Sequence, residues 1–171
     1  ARPYHTLIVS PPCAGKTTML RDLVRFISYG VPELRFPALT VGVVDERCEL
    51  ASCCEGVPQH DLGPRVDVLD HCPKAEGMVM LLRSMAPQVI ATDEIGRAGD
   101  VTAIWEMVHT GVSILATVHA SSWGELEERP FLRELIDRQV FRRYVFLSRR
   151  KGPGTIEGVY NELRQPVIQA G

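Results

Sequence analysis

The stretch SPPCAGKTT, Ser10 to Thr18, ends as a phosphate-binding loop ends but begins differently. The loop pattern is G-x-x-x-x-G-K-[S/T]; Gly15, Lys16 and Thr17 supply its second half, and Ser10 stands where the first glycine belongs. Working outward, TLIVS (Thr6 to Ser10) is a short apolar run that ends at turn residues. On the other side, TTMLRDLVRFIS sets Met19, Leu20, Leu23, Val24 and Ile27 at helical spacing. The loop therefore joins a strand to a helix. At such a junction the backbone N–H groups and the helix dipole favour an anion, and the tight-turn residue cannot carry a bulky side chain, which Gly15 satisfies. Pro12, Cys13, Ala14, Gly15, Lys16, Thr17 and Thr18 are the expected nucleotide-binding loop, with Lys16 reaching the β- and γ-phosphates and the Thr17 hydroxyl ligating Mg²⁺. Ser10 is the smallest polar replacement for glycine and sits at the strand end, where the demand on backbone angles is expected to be mild. Cys13 is the departure of greater consequence.

A magnesium–nucleotide site needs a second acid at the end of a neighbouring strand, because Mg²⁺ keeps several waters that a carboxylate must hold. The run QVIATDEIG offers Asp93 for that role and Glu94 to orient or deprotonate an attacking water. Two more apolar strands end in polar clusters: ALTVGVVD and the residues after it deliver Asp45, Glu46 and Arg47, and VSILATVH delivers Thr117 and His119. RVDVLD is read as a further strand, KAEGMVMLLRSM and VTAIWEMVHT as helices, and charged helical stretches flank Pro130. RRYVFLS and GTIEGVY are expected to pair as an antiparallel hairpin across RRKGPG. Strands alternating with helices, several of them apolar throughout, predict an α/β fold: an open, mainly parallel sheet with helices on both faces. In such a sheet the ligand lies beyond the carboxyl ends of the strands, so these clusters are expected to converge on one crevice.

With 171 residues, 45% hydrophobic and 23% charged, the chain suits one globular domain with one core. A net charge of -2 gives no global pull toward nucleic acid or anionic lipid. The basic group Arg142, Arg143, Arg149, Arg150 and Lys151 is read as a solvated hairpin. No apolar run is long enough to span a membrane, and a soluble piece is expected. The five cysteines are an odd number without a C-x-x-C pair, which predicts free thiols in a reducing compartment. A zinc site drawn from Cys48, Cys53, Cys54, His60, His71 and Cys72 lacks regular ligand spacing. His5 and His109 have no motif around them and are read as structural. The opening at Ala1, running almost at once into a strand, leads us to expect the C-terminal part of a longer protein.

The order Gly-Lys-Thr, Asp-Glu-Arg, Asp-Glu, Ala-Thr-x-His resembles the type II and type IV secretion ATPases, whose Walker A, Asp box, Walker B and His box follow in that sequence. VVDERCELA, GVPQHDLGPRVDVLDHCPKAEGM and LLRSMAPQVIATDEIGR look, more closely, like the stage III sporulation protein AA family of endospore-forming bacteria, over about Thr6 to Val159. The resemblance implies a RecA-like P-loop ATPase domain that binds ATP and Mg²⁺. It implies assembly as a homo-hexamer in the full-length protein, and work with integral membrane proteins of a sporulation channel complex. The implied location is cytoplasmic, at the mother-cell side of the membrane. Carried onto this sequence, Lys16 and Thr17 contact phosphate and metal, Asp93 holds the metal's water, Glu94 is the catalytic carboxylate, Glu46 belongs to the Asp box and His119 to the His box. Arg47, Arg65, Arg83 and Arg97 are candidates for sensing phosphate or reaching a neighbouring subunit. The family usually has glycine at the positions of Ser10 and Cys13, which bears on affinity more than on identity.

DEIG also satisfies the D-x-x-G of GTPases, but the chain has no N-K-x-D segment for guanine, and it has no L-S-G-G-Q-like signature of ABC ATPases. A nucleic-acid motor ranks lower: aromatic residues are 6% of the chain, no stacking platform lies among the basic residues, and no specific nucleic acid is expected. A nucleotide-binding scaffold without turnover is the third alternative, against which the presence of Glu94 speaks.

Overall fold

Six apolar runs become parallel strands: β1 (Thr6–Ser10), β2 (Val41–Asp45), β3 (Val66–Asp70), β4 (Val89–Thr92), β5 (Ser113–His119) and β6 (Arg143–Ser148). Two antiparallel strands, β7 (Thr155–Tyr160) and β8 (Pro166–Gln169), complete one sheet in the order β3-β2-β4-β5-β1-β6-β7-β8. This computed structural model describes residues 2–169. Every residue of β2 and β4 is buried, which is why these strands read as unbroken apolar runs rather than as alternating ones.

Strand periodicity sends alternate residues to opposite faces. Ile8, Val41, Val43, Ala91 and Leu115 pack with Leu20, Val24 and Ile27 of α1 (Lys16–Tyr29). Leu7, Val9, Val44, Ile90 and Ile114 pack on the other face with Met78 and Leu81 of α2 (Lys74–Met85) and with Ile104 and Met107 of α3 (Ala98–Thr110). Two shorter helices, α4 (Trp123–Glu127) and α5 (Pro130–Asp137), add Leu126, Leu132 and Leu135 to that second face. Pro130 opens α5 at a first-turn position, where its missing N–H costs nothing. Removing a fully buried side chain such as Leu20 by truncation to alanine is expected to cost about 2–5 kcal/mol.

The register fixes what the strands deliver. Ser10 lies beside His119, Thr92 beside Val44 and Ala116, and Asp45 beside Asp70, so the carboxyl ends of β1, β5, β4, β2 and β3 form one continuous rim. The mainly parallel sheet, covered on both faces and carrying a C-terminal hairpin, is the architecture expected from the sequence. Two boundaries differ by three residues, and one strand was not foreseen. The second strand begins at Val41 rather than Ala38. Helix α3 begins three residues before Val101, because the buried Asp100 carboxylate accepts the N–H groups of Gly96 and Arg97, each at 2.9 Å, and so caps the turn. Strand β8 carried no sequence signal; all four of its residues are exposed on the sheet edge.

Candidate active site

Helix α1 starts at Gly15, whose φ of 89° is a left-handed conformation that favours glycine. No side chain caps the helix and no acid lies in its first turn, so its leading N–H groups and positive dipole end face the loop. Cys13, Gly15, Lys16, Thr17, Thr18 and Pro153 line a cavity of about 310 Å³ there. The tip of the β6–β7 hairpin closes one side: the Gly154 N–H donates to the Ala14 carbonyl at 2.8 Å. A Cβ on Gly15 would lie 2.9 Å from the Gly154 nitrogen, so glycine is required for packing as well as for conformation. Ser10 is buried and lies outside the left-handed region, its Oγ donating to the Pro11 carbonyl at 2.9 Å. Cys13 is exposed and sits at φ 57°, so the replacement that matters physically is the cysteine.

From the loop a chain of polar contacts crosses the rim. The Thr17 hydroxyl donates to Asp93 Oδ2 at 2.8 Å, and the Thr117 hydroxyl donates to the other Asp93 oxygen. Thr117 Oγ1 also accepts the Glu94 N–H at 2.9 Å, and its carbonyl accepts the Ile95 N–H at 2.9 Å. These bonds hold Glu94 at φ 54°, a conformation that costs a non-glycine residue about 1–2 kcal/mol and that aims its carboxylate across the crevice. His119 Nε2 lies 3.0 Å from Lys16 Nζ and 3.4 Å from Glu94 Oε1. An ammonium has only protons to give, so Nε2 accepts from Lys16 when the ring is neutral, which places the ring proton on Nδ1. That Nδ1 is buried without a hydrogen-bond partner. A ring that carries a proton on Nε2 instead donates to Glu94, so Nε2 serves only one of these two neighbours at a time.

Arg47 pairs with the second oxygen of Glu94. Glu46 receives Lys74 on one oxygen and Arg97, at 3.3 Å, on the other. The Lys74 hydrogen bond, joined by the charges of Lys74, Arg97 and Arg47, outweighs the cost of burial and holds the Glu46 carboxyl below the usual carboxylate range. Asp45 is buried, and its two oxygens accept the N–H groups of Glu49 (2.9 Å) and Ala51 (2.8 Å), so its carboxylate shapes the following loop. Asp45, Glu46, Arg47, Glu49, Lys74, Asp93 and Glu94 line one small enclosed cleft beside the phosphate loop.

Lys16, Thr17, Asp93, Glu94, Glu46 and His119 are therefore brought together, with Arg47 and Arg97 at the same rim. Arg65 and Arg83 are not: Arg65 precedes β3 at the opposite, amino end of the sheet, and Arg83 lies in the last turn of α2, about 13 Å along the axis from Lys74. Lys74 and the Pro153–Gly154 tip escaped sequence reasoning. The only signal for Lys74 was a cation opening a helix at the carboxyl end of a strand. His5 Nδ1 accepts the Ile114 N–H at 3.1 Å, and burial, with Arg142 nearby, lowers its pKa. His109 donates from Nδ1 to the Trp105 carbonyl at 2.7 Å. In the basic hairpin, Arg142 and Arg150 pair with Glu162 and Glu157.

Residues 1–167 match the family model described as "Sporulation stage III, protein AA". The chain belongs to the stage III sporulation protein AA family. It is 50% identical over 158 residues to the stage III sporulation protein AA of Bacillus subtilis (strain 168), covering 92% of this chain and 51% of that protein. It thus spans about half the length of that relative. Among solved structures, it resembles the ATPase DotB of Legionella pneumophila (TM-score 0.62, 20% identity, 85% of this chain and 41% of that one). It also resembles the VirB11 ATPase of the Brucella suis type IV secretion system, solved in complex with sulphate (TM-score 0.64, 19% identity, 92% of this chain and 48% of that one). These likenesses show the fold: this stage III sporulation protein AA family member has the RecA-like architecture of secretion ATPases. No helix among the described residues is long and apolar enough to cross a membrane.

Proposed function

We propose that this chain is a single RecA-like ATPase domain that binds ATP with Mg²⁺ and hydrolyses it to drive assembly of, or transport by, a sporulation channel complex. The observation that carries this reading is the unbroken contact path from Lys16 and Thr17 through Asp93, Thr117 and His119 to Glu94. Residues from two separate strand ends, those of β4 and β5, and one helix start are held there in mutual contact, each of a type that triphosphate hydrolysis uses.

The residues fit the nucleotide and its metal. The uncapped first turn of α1 and the Gly15 turn suit an anion, and a hydroxyl already bonded to a carboxylate, Thr17 to Asp93, is the oxygen pair that would hold Mg²⁺ and its water. When bound, the metal supplies charge neutralisation at the phosphates. Lys16 exchanges His119 for phosphate oxygen and stabilises the charge that builds up in the transition state. Glu94 accepts a proton from the water that attacks the γ-phosphate in line, after Arg47 releases it. Glu46, fixed by Lys74 and Arg97, orders the far wall of the cleft. In the full-length protein the site is completed by an arginine of a neighbouring subunit in a homo-hexamer. The ring works at the cytoplasmic, mother-cell face of the membrane on integral membrane proteins of the channel complex, with no specific nucleic acid.

The test is ATP and GTP binding and turnover by the full-length protein, with and without Mg²⁺, for wild type, Lys16→Ala and Glu94→Gln. Lys16→Ala is expected to lose nucleotide binding, and Glu94→Gln to bind ATP and stall, with at least a hundredfold loss of turnover. Unchanged turnover in Glu94→Gln overturns its role. Binding without turnover in the wild type makes the protein a nucleotide-dependent scaffold.

A further inference from the structure

Beyond the nucleotide crevice, at the carboxyl ends of the edge strand β3 and its neighbour β2, two thiols meet a carboxylate. We propose that Cys48, Cys53 and Asp70 form a binding site for a thiophilic divalent cation, zinc by its chemistry, that ties the loop after β2 to strand β3. One ligand atom from each residue lies within 4.8 Å of the other two. Cys48 Sγ is 3.9 Å from Asp70 Oδ2 and 3.8 Å from the Cys53 carbonyl oxygen. A tetrahedral zinc with bonds of about 2.3 Å to sulfur and about 2.0–2.2 Å to oxygen holds its ligand atoms roughly 3.4–3.8 Å apart, so small side-chain rotations close the set. Two thiolates and one carboxylate leave a fourth position for water or for the Cys53 carbonyl.

The backbone is shaped to make this meeting. Cys48 (φ 57°) and Ser52 (φ 51°) are both non-glycine residues in the left-handed region, and between them the buried Asp45 carboxylate holds the Glu49 and Ala51 N–H groups. The loop folds back on itself, bringing the fifty-third residue onto the forty-eighth. Asp70 enters from β3, where it is the register partner of Asp45. All three ligands are half-buried, so this is not a solvated surface triad. No lysine, arginine or histidine among the described residues forms an ion pair with Asp70. Soft sulfur selects zinc over magnesium, and binding exchanges the two thiol protons for the metal without any change of oxidation state.

The sequence offered Cys48, Cys53, Cys54, His60, His71 and Cys72 as conceivable zinc ligands. The structure groups only Cys48 and Cys53 of these, and adds Asp70, a strand-end acid whose part no spacing rule could reveal. The ligands bracket the loop that begins with Glu46 and Arg47, so the cation would stiffen one wall of the nucleotide cleft.

The test uses the full-length protein under a non-chelating reductant, titrated with Co²⁺ and then with Zn²⁺. Expected are one equivalent bound, a near-ultraviolet thiolate-to-cobalt absorption, and loss of that absorption as Zn²⁺ displaces Co²⁺. Cys48→Ser and Cys53→Ser should each lower the thiolate band by about half and weaken binding at least tenfold. Asp70→Asn, nearly isosteric, should weaken binding about tenfold or more while keeping both thiolate contributions. Cys13→Ser and Cys72→Ser should bind as wild type. Absence of a thiolate band in the wild type overturns the proposal, as does a band that keeps its full strength in Cys48→Ser and in Cys53→Ser. Failure here leaves the ATP site untouched, because no ligand of the cation contacts Lys16, Thr17 or Asp93.

Discussion

Replacing Cys13 by glycine is expected to stabilise the protein, against the ordinary rule that glycine in a loop costs stability. Cys13 is exposed and sits at φ 57°. A residue bearing a Cβ loses about 1–2 kcal/mol in that conformation. Glycine removes this cost but gives back about 0.4–1 kcal/mol through the greater freedom of the unfolded chain. The net gain is about 0.5–1 kcal/mol. Cys13→Ala is the control: it discards the thiol but keeps the Cβ and the strain, so its stability should match wild type within about 0.5 kcal/mol. Urea denaturation followed by tryptophan fluorescence reads the difference; with a slope of roughly 2 kcal/mol per molar, Cys13→Gly should raise the midpoint by about 0.3–0.5 M over Cys13→Ala. A Cys13→Gly protein less stable than Cys13→Ala would refute the assignment of backbone strain at this position.

The opposite change at the neighbouring turn is severe. Gly15→Ala puts a Cβ at φ 89° and 2.9 Å from the Gly154 nitrogen, breaking the fit between loop and hairpin tip; a loss of about 2–4 kcal/mol in thermal or urea melts is expected, and ATP binding should fall with it. Thr117→Val keeps the shape but removes the hydroxyl that bonds both Asp93 and the Glu94 N–H; about 1–3 kcal/mol of stability should be lost, and turnover should fall more than ATP affinity. Glu46 has a folded pKa below its unfolded one, so its contribution is fully present above about pH 4.5 and is lost as the pH falls through the depressed folded value. Glu46→Gln should flatten the stability profile in that acid window and cost about 1–3 kcal/mol at pH 7, because the buried Lys74 ammonium loses its counter-charge.

The placing of the loop and of the rim residues was legible because it follows from two local rules. An apolar run followed by a glycine turn and an amphipathic helix places Lys16 and Thr17, and polar residues just past the apolar runs of a parallel sheet must share its carboxyl rim, which places Asp93, Glu94, Glu46 and His119. What was illegible depends on contacts between distant segments. Lys74 meets Glu46 only because α2 begins where β3 ends. Gly154 reaches Ala14 only because β6 pairs beside β1, across 140 residues of chain. The left-handed backbone at Cys13 and Glu94 carries no mark in residue type, since both positions hold residues that ordinarily avoid it. Strand β8 was missed because an exposed edge strand buries no face and so leaves no alternation to read.

The charges at the rim also constrain how nucleotide and cleft are coupled. In the described arrangement the cations that a triphosphate would attract are already engaged: Lys16 with His119, Arg47 with Glu94, and Arg97 and Lys74 with Glu46. Lys74 is buried and locked, whereas the side chains of Arg47 and Arg97 are more than half exposed and can swing. Phosphate arriving at Lys16 frees His119 Nε2, which, once it takes up a proton, donates to its other neighbour, Glu94, 3.4 Å away. A new donor on Glu94 weakens its hold on Arg47, and Arg47 stands at the start of the loop that Cys48, Cys53 and Asp70 pin to β3. With that loop pinned, the released arginine moves as a side chain alone, toward the phosphate or a neighbouring subunit. Without the pin, the same release would be absorbed by the loop. The cation site and the ATP site are then two ends of one lever, and the Cys48→Ser protein should show a weaker dependence of turnover on protein concentration than the wild type, because its arginine is presented less sharply to the neighbouring subunit.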